Sequence, residues 1–301
     1  FPLGQVVVGL GLLFGNGGAS YISRLLGRGD RETADRAAST ALYSSIFVGA
    51  AVILCAVIFL KPLLKCLGAT DSILPYAVTY AGIYVVSSIF NVFNVTMNNI
   101  VTSEGAARTT MCVLLTGAAF NMVLDPVFIY VLKLGVAGAA IATAISQAVS
   151  TLIYLYYVIS GRSMFSFRFR NCCFSNEIMS EILKIGIPTL AFQLLTSLSI
   201  TMINMQAKPY GDSVIAGMGA VTRMISLGSL MVFGFIKGFQ PIAGYNYGAG
   251  NYERLHEAIR ISVVWSTLFC AVFGLTMAVF SGPVISRFTK NDMEMIRIGQ
   301  K

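Results

Sequence analysis

Long apolar runs broken by short polar punctuation recur along the whole chain. A helix needs about 20 such residues to cross the hydrocarbon core of a bilayer. The pattern predicts spans over residues 2–25, 37–60, 73–102, 109–132, 136–160, 178–207, 214–245 and 258–281, with another beginning near residue 284, about eight and a half in all. A transmembrane β-barrel would instead show roughly ten-residue segments of alternating polarity, and none is present. The run 135–144, Gly-Val-Ala-Gly-Ala-Ala-Ile-Ala-Thr-Ala, suits helices that pack closely in lipid through small side chains. The expected fold is an all-α integral membrane bundle.

The polar punctuation repeats. Gly27, Gly29, Asp30 and Glu32 recur 221 residues later as Gly248, Gly250, Asn251 and Glu253. At the same offset Phe14 matches Phe235, Gly17 matches Gly238, Ala37 matches Ala258, Leu54 matches Leu275, Pro62 matches Pro283 and Asp71 matches Asp292. Glycines, acids and prolines thus sit at corresponding ends of corresponding apolar segments, as an internal duplication requires. Six predicted spans separate the two Gly-x-Gly loops, so both copies enter the membrane in the same sense and are related by an axis along the membrane normal. The basic and aromatic stretch after residue 161 reads as the connector. The expected organisation is an amino-terminal lobe lacking its first helix at 1–161, a cytoplasmic connector at 162–177 and the first half of a carboxy-terminal lobe at 178–301. The bookkeeping of copies calls for one more helix before residue 1 and three after residue 301, giving two six-helix lobes.

Composition agrees with a membrane setting: 56% of residues are hydrophobic and 11% charged, against about 25% charged in ordinary soluble domains. Lys and Arg number eleven in the loops on the Gly-x-Gly side and six on the other, which assigns the Gly-x-Gly loops to the cytoplasm. That bias also accounts for the formal charge of +8. No basic, aromatic-interleaved segment suggests nucleic acid.

Polar groups inside the spans carry the candidate chemistry. A mid-bilayer carboxylate costs several kcal/mol by most estimates and is kept where it faces a cavity and has a task. Asp125 is the foremost case, with Asn121 one turn earlier on the same face. Together they offer oxygens to a hard cation or a shared proton, and Pro126 removes a backbone donor beside them. Asn91, Asn94 and Asn98 form a polar stripe on one face of the preceding helix, a pattern equally suited to interhelical hydrogen bonding. Glu104 is expected to pair with Arg108 in a loop.

Enzymatic constellations are missing from the sequence. The lone histidine, His256, has no paired acid or nucleophile in its loop, and the six cysteines show no metal spacing, with Cys172 and Cys173 expected as thiols. The Gly-x-Gly loops lack the Lys-Ser/Thr of a phosphate-binding loop.

These loops, Asn121-(x)3-Asp125-Pro126, Glu104-Gly-Ala-Ala-Arg108 and Lys184-Ile-Gly-Ile-Pro-Thr189 together resemble the multidrug and toxic compound extrusion family over the whole chain, in the branch of the DinF-like and MepA-like pumps. The resemblance implies a multi-pass protein of the bacterial inner membrane, a monomer without cofactor. Such proteins export organic cations in exchange for sodium ions or protons, by alternating access between two lobes. It implies an ion-coupling group at Asn98, Asn121, Asp125 and Thr143, with a possible sodium ion at Asp125, and a further Asp on a helix upstream. Where some members carry an acid on the helix opening the second half, this chain has Gln193, Thr196 and Ser197, which shifts coupling to the amino lobe. Asn94, Gln193 and Gln240 are candidate cavity residues. Met202, Met205, Met218, Met224, Met231, Phe233 and Phe235 offer an adaptable apolar lining, or simply pack. The alternatives are a flippase for lipid-linked precursors, whose cavity would be basic whereas these spans hold little beyond Arg223 and Lys237, and an intramembrane transferase.

Overall fold

A computed structural model describes residues 2–66, 74–172, 174–207 and 212–285. Nearly all of them are helical. The elements are α1 (Pro2–Gly27), α2 (Arg31–Ile58), the short α3 (Leu60–Cys66), α4 (Leu74–Ser103), α5 (Ala107–Pro126), α6 (Gly135–Ile159), α7 (Asn176–Ala207), α8 (Asp212–Gly248) and α9 (Tyr252–Ile285). Eight of these are long and apolar enough to cross a membrane. Each predicted span is thus found, with ends displaced by a few residues; the one expected near residue 284 lies outside the described residues.

The duplication is visible bond by bond. Gly29 and Gly250 both take a left-handed backbone, at φ +80° and +72°. A side chain is strained there, which is why glycine holds both positions. In the first turn Asp30 N–H donates to Leu25 O and Gly29 N–H to Leu26 O; in the second, 221 residues on, Asn251 N–H donates to Asn246 O and Gly250 N–H to Tyr247 O. The following helices begin alike, but Asp30 accepts from Thr33 N–H at 3.0 Å as a side-chain cap. That bond holds the Asp30 carboxyl below its usual range.

The two turns meet. A Cβ on Gly27 would strike the carbonyl of Tyr245, and one on Gly248 would strike that of Arg24. Tyr245 is the counterpart of Arg24 at the repeat offset, so each half presents the same surface to the other, as a two-fold axis requires. α1 is the hub, packed on α2, α4, α7 and α8. Its hold on α7 is equally close, with Gly17 against the Ile182 carbonyl and Gly186 against that of Leu13. Arg24 crosses to Glu181 at 2.9 Å, and Lys184 pairs with the same carboxylate.

The buried core gathers around α1 at the Gly-x-Gly end, from Leu13, Phe14, Ile22, Met97, Ile100, Tyr154, Phe165 and Ile182 among others. Large apolar side chains on α5, α8 and α9 are exposed, as in Met122, Leu230 and Trp265. In a bilayer such surface can face lipid or further helices.

The connector is held to the first half. Asp35 of α2 accepts from Ser166 N–H at 2.7 Å, Ser166 Oγ at 2.8 Å and Asn171 Nδ2 at 2.6 Å. Tyr43 OH donates to Phe167 O at 2.9 Å. Glu104 departs from expectation, because it does not pair with Arg108. Its carboxylate accepts from Tyr157 OH, Ser163 Oγ and Met164 N–H at 2.8, 3.0 and 2.8 Å. Burial pushes its carboxyl above the ordinary 4.5, against the pull of those three bonds. Cys55, Cys112 and Cys270 carry free thiols; Cys173 lies outside the described residues.

Candidate functional site

Small residues set the distance between α5 and α6. A Cβ on Gly117 would run into Ser150 Oγ, and one on Gly138 would lie 2.7 Å from the Phe128 carbonyl. At Pro126 the missing N–H ends the α-helical ladder, and residues Val127–Val131 continue as a π-helical turn. Such turns cluster at functional sites. The chain then reverses through Lys133 and Gly135, both at φ +55°.

Between α4, α5, α6 and α8 lies a cavity of about 400 Å³. The asparagine stripe of α4 faces it: Asn91, Asn94 and Asn98 all line the wall, with Asn121, Thr143, Gln147, Tyr154 and Lys237. Two polar groups form on that wall. In the first, Asn121 Nδ2 makes long contacts with Asp125 Oδ1 at 3.5 Å and Thr143 Oγ1 at 3.4 Å. Thr143 also donates to Ala139 O at 3.0 Å. Asp125 is half-buried behind Asn121 and, among the described residues, has no basic partner. It stands nearer one end of its helix than the middle, 18 residues from Ala107 and six from Val131, or about 27 and 9 Å along the axis. Along the helix it lies toward the end opposite the Gly-x-Gly turns.

In the second group Asn98 donates to Tyr154 OH at 3.2 Å and accepts from Lys237 Nζ at 3.1 Å. Asn98 therefore joins Tyr154 and Lys237, not the Asn121 group expected of it. Asn94 is committed to α6: its Nδ2 donates to Gln147 O and Oε1, both at 2.8 Å, and its Oδ1 accepts from Thr151 at 3.0 Å. It lines the cavity with its hydrogen bonds spent on holding α4 to α6.

Gln240 lies outside the main cavity, in a small recess with Ser23, Asn99 and Lys237, and donates to Asn16 O at 3.4 Å. Gln193 sits at the α1–α7 contact beside Gly9. Met202, Met231, Phe233 and Phe235 are exposed and line neither space. The side chains of Met205 and Met218 lie outside the described ones. Gln147 and Tyr154 escaped sequence reasoning because α6 is apolar enough to read as packing throughout, and only its pairing with α4 reveals its polar face.

The oxygens of Asp125 and Thr143 could hold a small hard cation or a proton. As oriented, Asn121 turns its NH2 toward both, so a metal ion there would require the amide to rotate and offer its oxygen. Among the described residues no group of three or more His, Cys, Asp or Glu converges, so no transition-metal site is built.

A duplicated, parallel helical bundle with a cavity between its long apolar helices, lined in part by amides and hydroxyls, defines a multi-pass membrane protein with the architecture of a secondary transporter. The MatE family model matches residues 1–127 and 188–301. The chain belongs to that family. The unmatched residues between hold α6 and the connector. The chain is 29% identical over 295 residues to the multidrug export protein MepA of Staphylococcus haemolyticus, covering 98% of this chain and 65% of that protein. To MepA of Staphylococcus aureus it is 30% identical over 277 residues, covering 90% and 61%. It thus spans less than two thirds of these relatives' length. Among solved structures, a MATE in the bent conformation superposes with TM-score 0.91 at 28% identity, over 100% of this chain and 67% of that one. An outward-facing multidrug resistance MATE transporter gives 0.92 at 28%, over 99% and 66%.

Proposed function

We propose that this protein exports amphiphilic organic cations across the cell membrane in exchange for sodium ions or protons, its two halves rocking about the cavity, with the Gly-x-Gly turns in the cytoplasm. The observation that carries the reading is the bridge from Asp125, behind the cavity wall, through Asn121 to Thr143 on that wall. The export of drugs is what the names of the two MepA relatives state of those proteins.

The chemistry follows from charge. An ionised Asp125 holds the Asn121 NH2 group by a charge-assisted contact. A proton or sodium ion arriving from the nearer, outer end neutralises that carboxylate and releases the amide to α6 through Thr143. The wall between α5 and α6 then repacks, and the state with lower affinity for a cationic substrate gains population. Loss of the ion restores the anion and favours loading from the cytoplasm. The coupling needs differential affinity, about 1–3 kcal/mol in typical linked sites.

Ethidium efflux from cells expressing the full chain tests this, under imposed sodium and proton gradients, with Asp125→Asn and Thr143→Val beside the wild type. Efflux driven by either gradient and lost in Asp125→Asn is expected. Gradient-driven efflux that survives Asp125→Asn unchanged would refute the assignment of the ion-coupling group, and absence of efflux from the wild type would refute transport.

A further inference from the structure

Apart from the Asp125 group, the cavity carries a second chemistry that organic-cation export does not use. Lys237 brings an ammonium into the cavity, and among the described residues no carboxylate pairs with it. One of its three N–H bonds is spent on Asn98 Oδ1 at 3.1 Å. Beside it the Tyr154 side chain is 1% exposed. Its hydroxyl accepts from Asn98 Nδ2 at 3.2 Å, and among the described residues it has no acceptor for its own proton. Asn98, 6% exposed, holds both donors in register. A hydroxyl offers one donor and an ammonium three, so this corner presents several N–H and O–H bonds, one full positive charge and no anion. A bare cation is repelled there, whereas a carboxylate satisfies the charge and the buried hydroxyl together.

We infer that Lys237, with Tyr154, is the anchor for a carboxylate on the transported molecule, so that the cavity selects amphiphilic cations that also bear a carboxylate over matched ones in which that group is masked. The inference rests on the transport reading and names the substrate class of the same cavity. Asp125 and Asn121 serve the coupling ion, and Lys237 and Tyr154 serve the cargo. Their places in separate hydrogen-bonded groups allow both functions.

Rhodamine 110 and rhodamine 123 differ only in a free carboxylate against its methyl ester, which makes them the probe pair. Binding of each to the purified full chain is measured by fluorescence polarisation. The wild type is expected to favour the free acid by about tenfold, the scale of one charge-assisted hydrogen bond. Lys237→Gln should abolish that preference through loss of acid binding, Lys237→Arg should keep it, and Tyr154→Phe should reduce it severalfold. The ratio of the two dyes on one preparation guards against variants that fold poorly. Equal dye ratios in the wild type and Lys237→Gln would overturn the anchor while leaving transport intact. Failure of the wild type to bind either dye would overturn the transport reading of the cavity and the anchor with it.

Discussion

Replacing Gly248 by alanine adds a methyl group where no space exists. In the helical backbone that methyl group falls against the carbonyl of Arg24, and the same change at Gly27 falls against the carbonyl of Tyr245. Backbone cannot rotate away as a flexible side chain can, so α1 and α8 must separate by about 1 Å to recover ordinary contact distances. Overpacking of that kind costs about 1–3 kcal/mol. Alanine returns roughly 0.5–1 kcal/mol of helix propensity, so each single change should destabilise by about 1 kcal/mol. That corresponds to a drop in melting temperature of about 2–4 °C for a chain of this size class. The two contacts belong to one crossing, so the separation forced by the first relieves the second. Gly27→Ala with Gly248→Ala should therefore cost clearly less than the sum of the singles. Gly234 supplies the control, since on the same helix α8 a Cβ there meets nothing within 4 Å. Gly234→Ala should leave stability unchanged or raise it. Thermal unfolding of the detergent-solubilised protein, followed by light scattering and tryptophan emission, gives all four values. Melting temperatures for Gly27→Ala and Gly248→Ala that rise as Gly234→Ala does would refute the crossing.

Three further outcomes follow from the same contacts. Asp35→Ala removes the acceptor of three bonds from Ser166 and Asn171; water reaches these donors, so the cost should stay at about 0.5–1.5 kcal/mol, and limited trypsin digestion should then cut at Arg168 and Arg170 faster than in the wild type. Burial raises the Glu104 carboxyl above 4.5, so the folded state binds a proton more tightly than the unfolded one. The Glu104 contribution to stability should fall as pH rises from 4.5 through the raised value and be flat on either side, and the difference between melting curves of the wild type and Glu104→Gln should show that fall. Arg24→Ala deletes a bridge whose two side chains are 24% and 22% exposed; it should cost no more than about 1–2 kcal/mol in thermal unfolding, with Glu181→Ala in the same background adding little.

The spans were legible because hydrocarbon imposes length and polarity on each one separately. Boundaries slipped where the ends are polar: α2 and α9 each begin about six residues before the apolar run, at Arg31 and Tyr252, since a capped amphiphilic first turn is invisible to a hydropathy count. The duplication was legible because glycine is required at Gly29 and Gly250 by backbone angle and at Gly27 and Gly248 by contact, so these positions keep their identity while leucines drift. The site was read in part. Asp125, Asn121 and the asparagine stripe stood out as polar groups at helical spacing; Asn121 and the stripe line one cavity, and Asp125 lies behind Asn121. Which of them touch was beyond reach, because that depends on how α4, α5, α6 and α8 pair. Asn98 went to Lys237 rather than to Asn121, and Glu104 to the connector rather than to Arg108, each drawn by a partner more than 50 residues away.

The repeat and the cavity make opposite demands. Two copies of one fold, related by an axis through the meeting of Gly27 with Tyr245 and Gly248 with Arg24, would by themselves build two equivalent half-sites. In the first copy the register of Lys237 is held by Asn16, which donates to Thr189 in the α1–α7 contact at 3.2 Å. The same register therefore carries a helix-joining amide in one half and a cavity ammonium in the other. On the proposed function, symmetry is kept where the halves would pivot on each other and broken where a directional cargo would be recognised. An alternating-access device needs both: a self-complementary crossing with two arrangements close in energy, and a single site whose charge pattern is not duplicated across it.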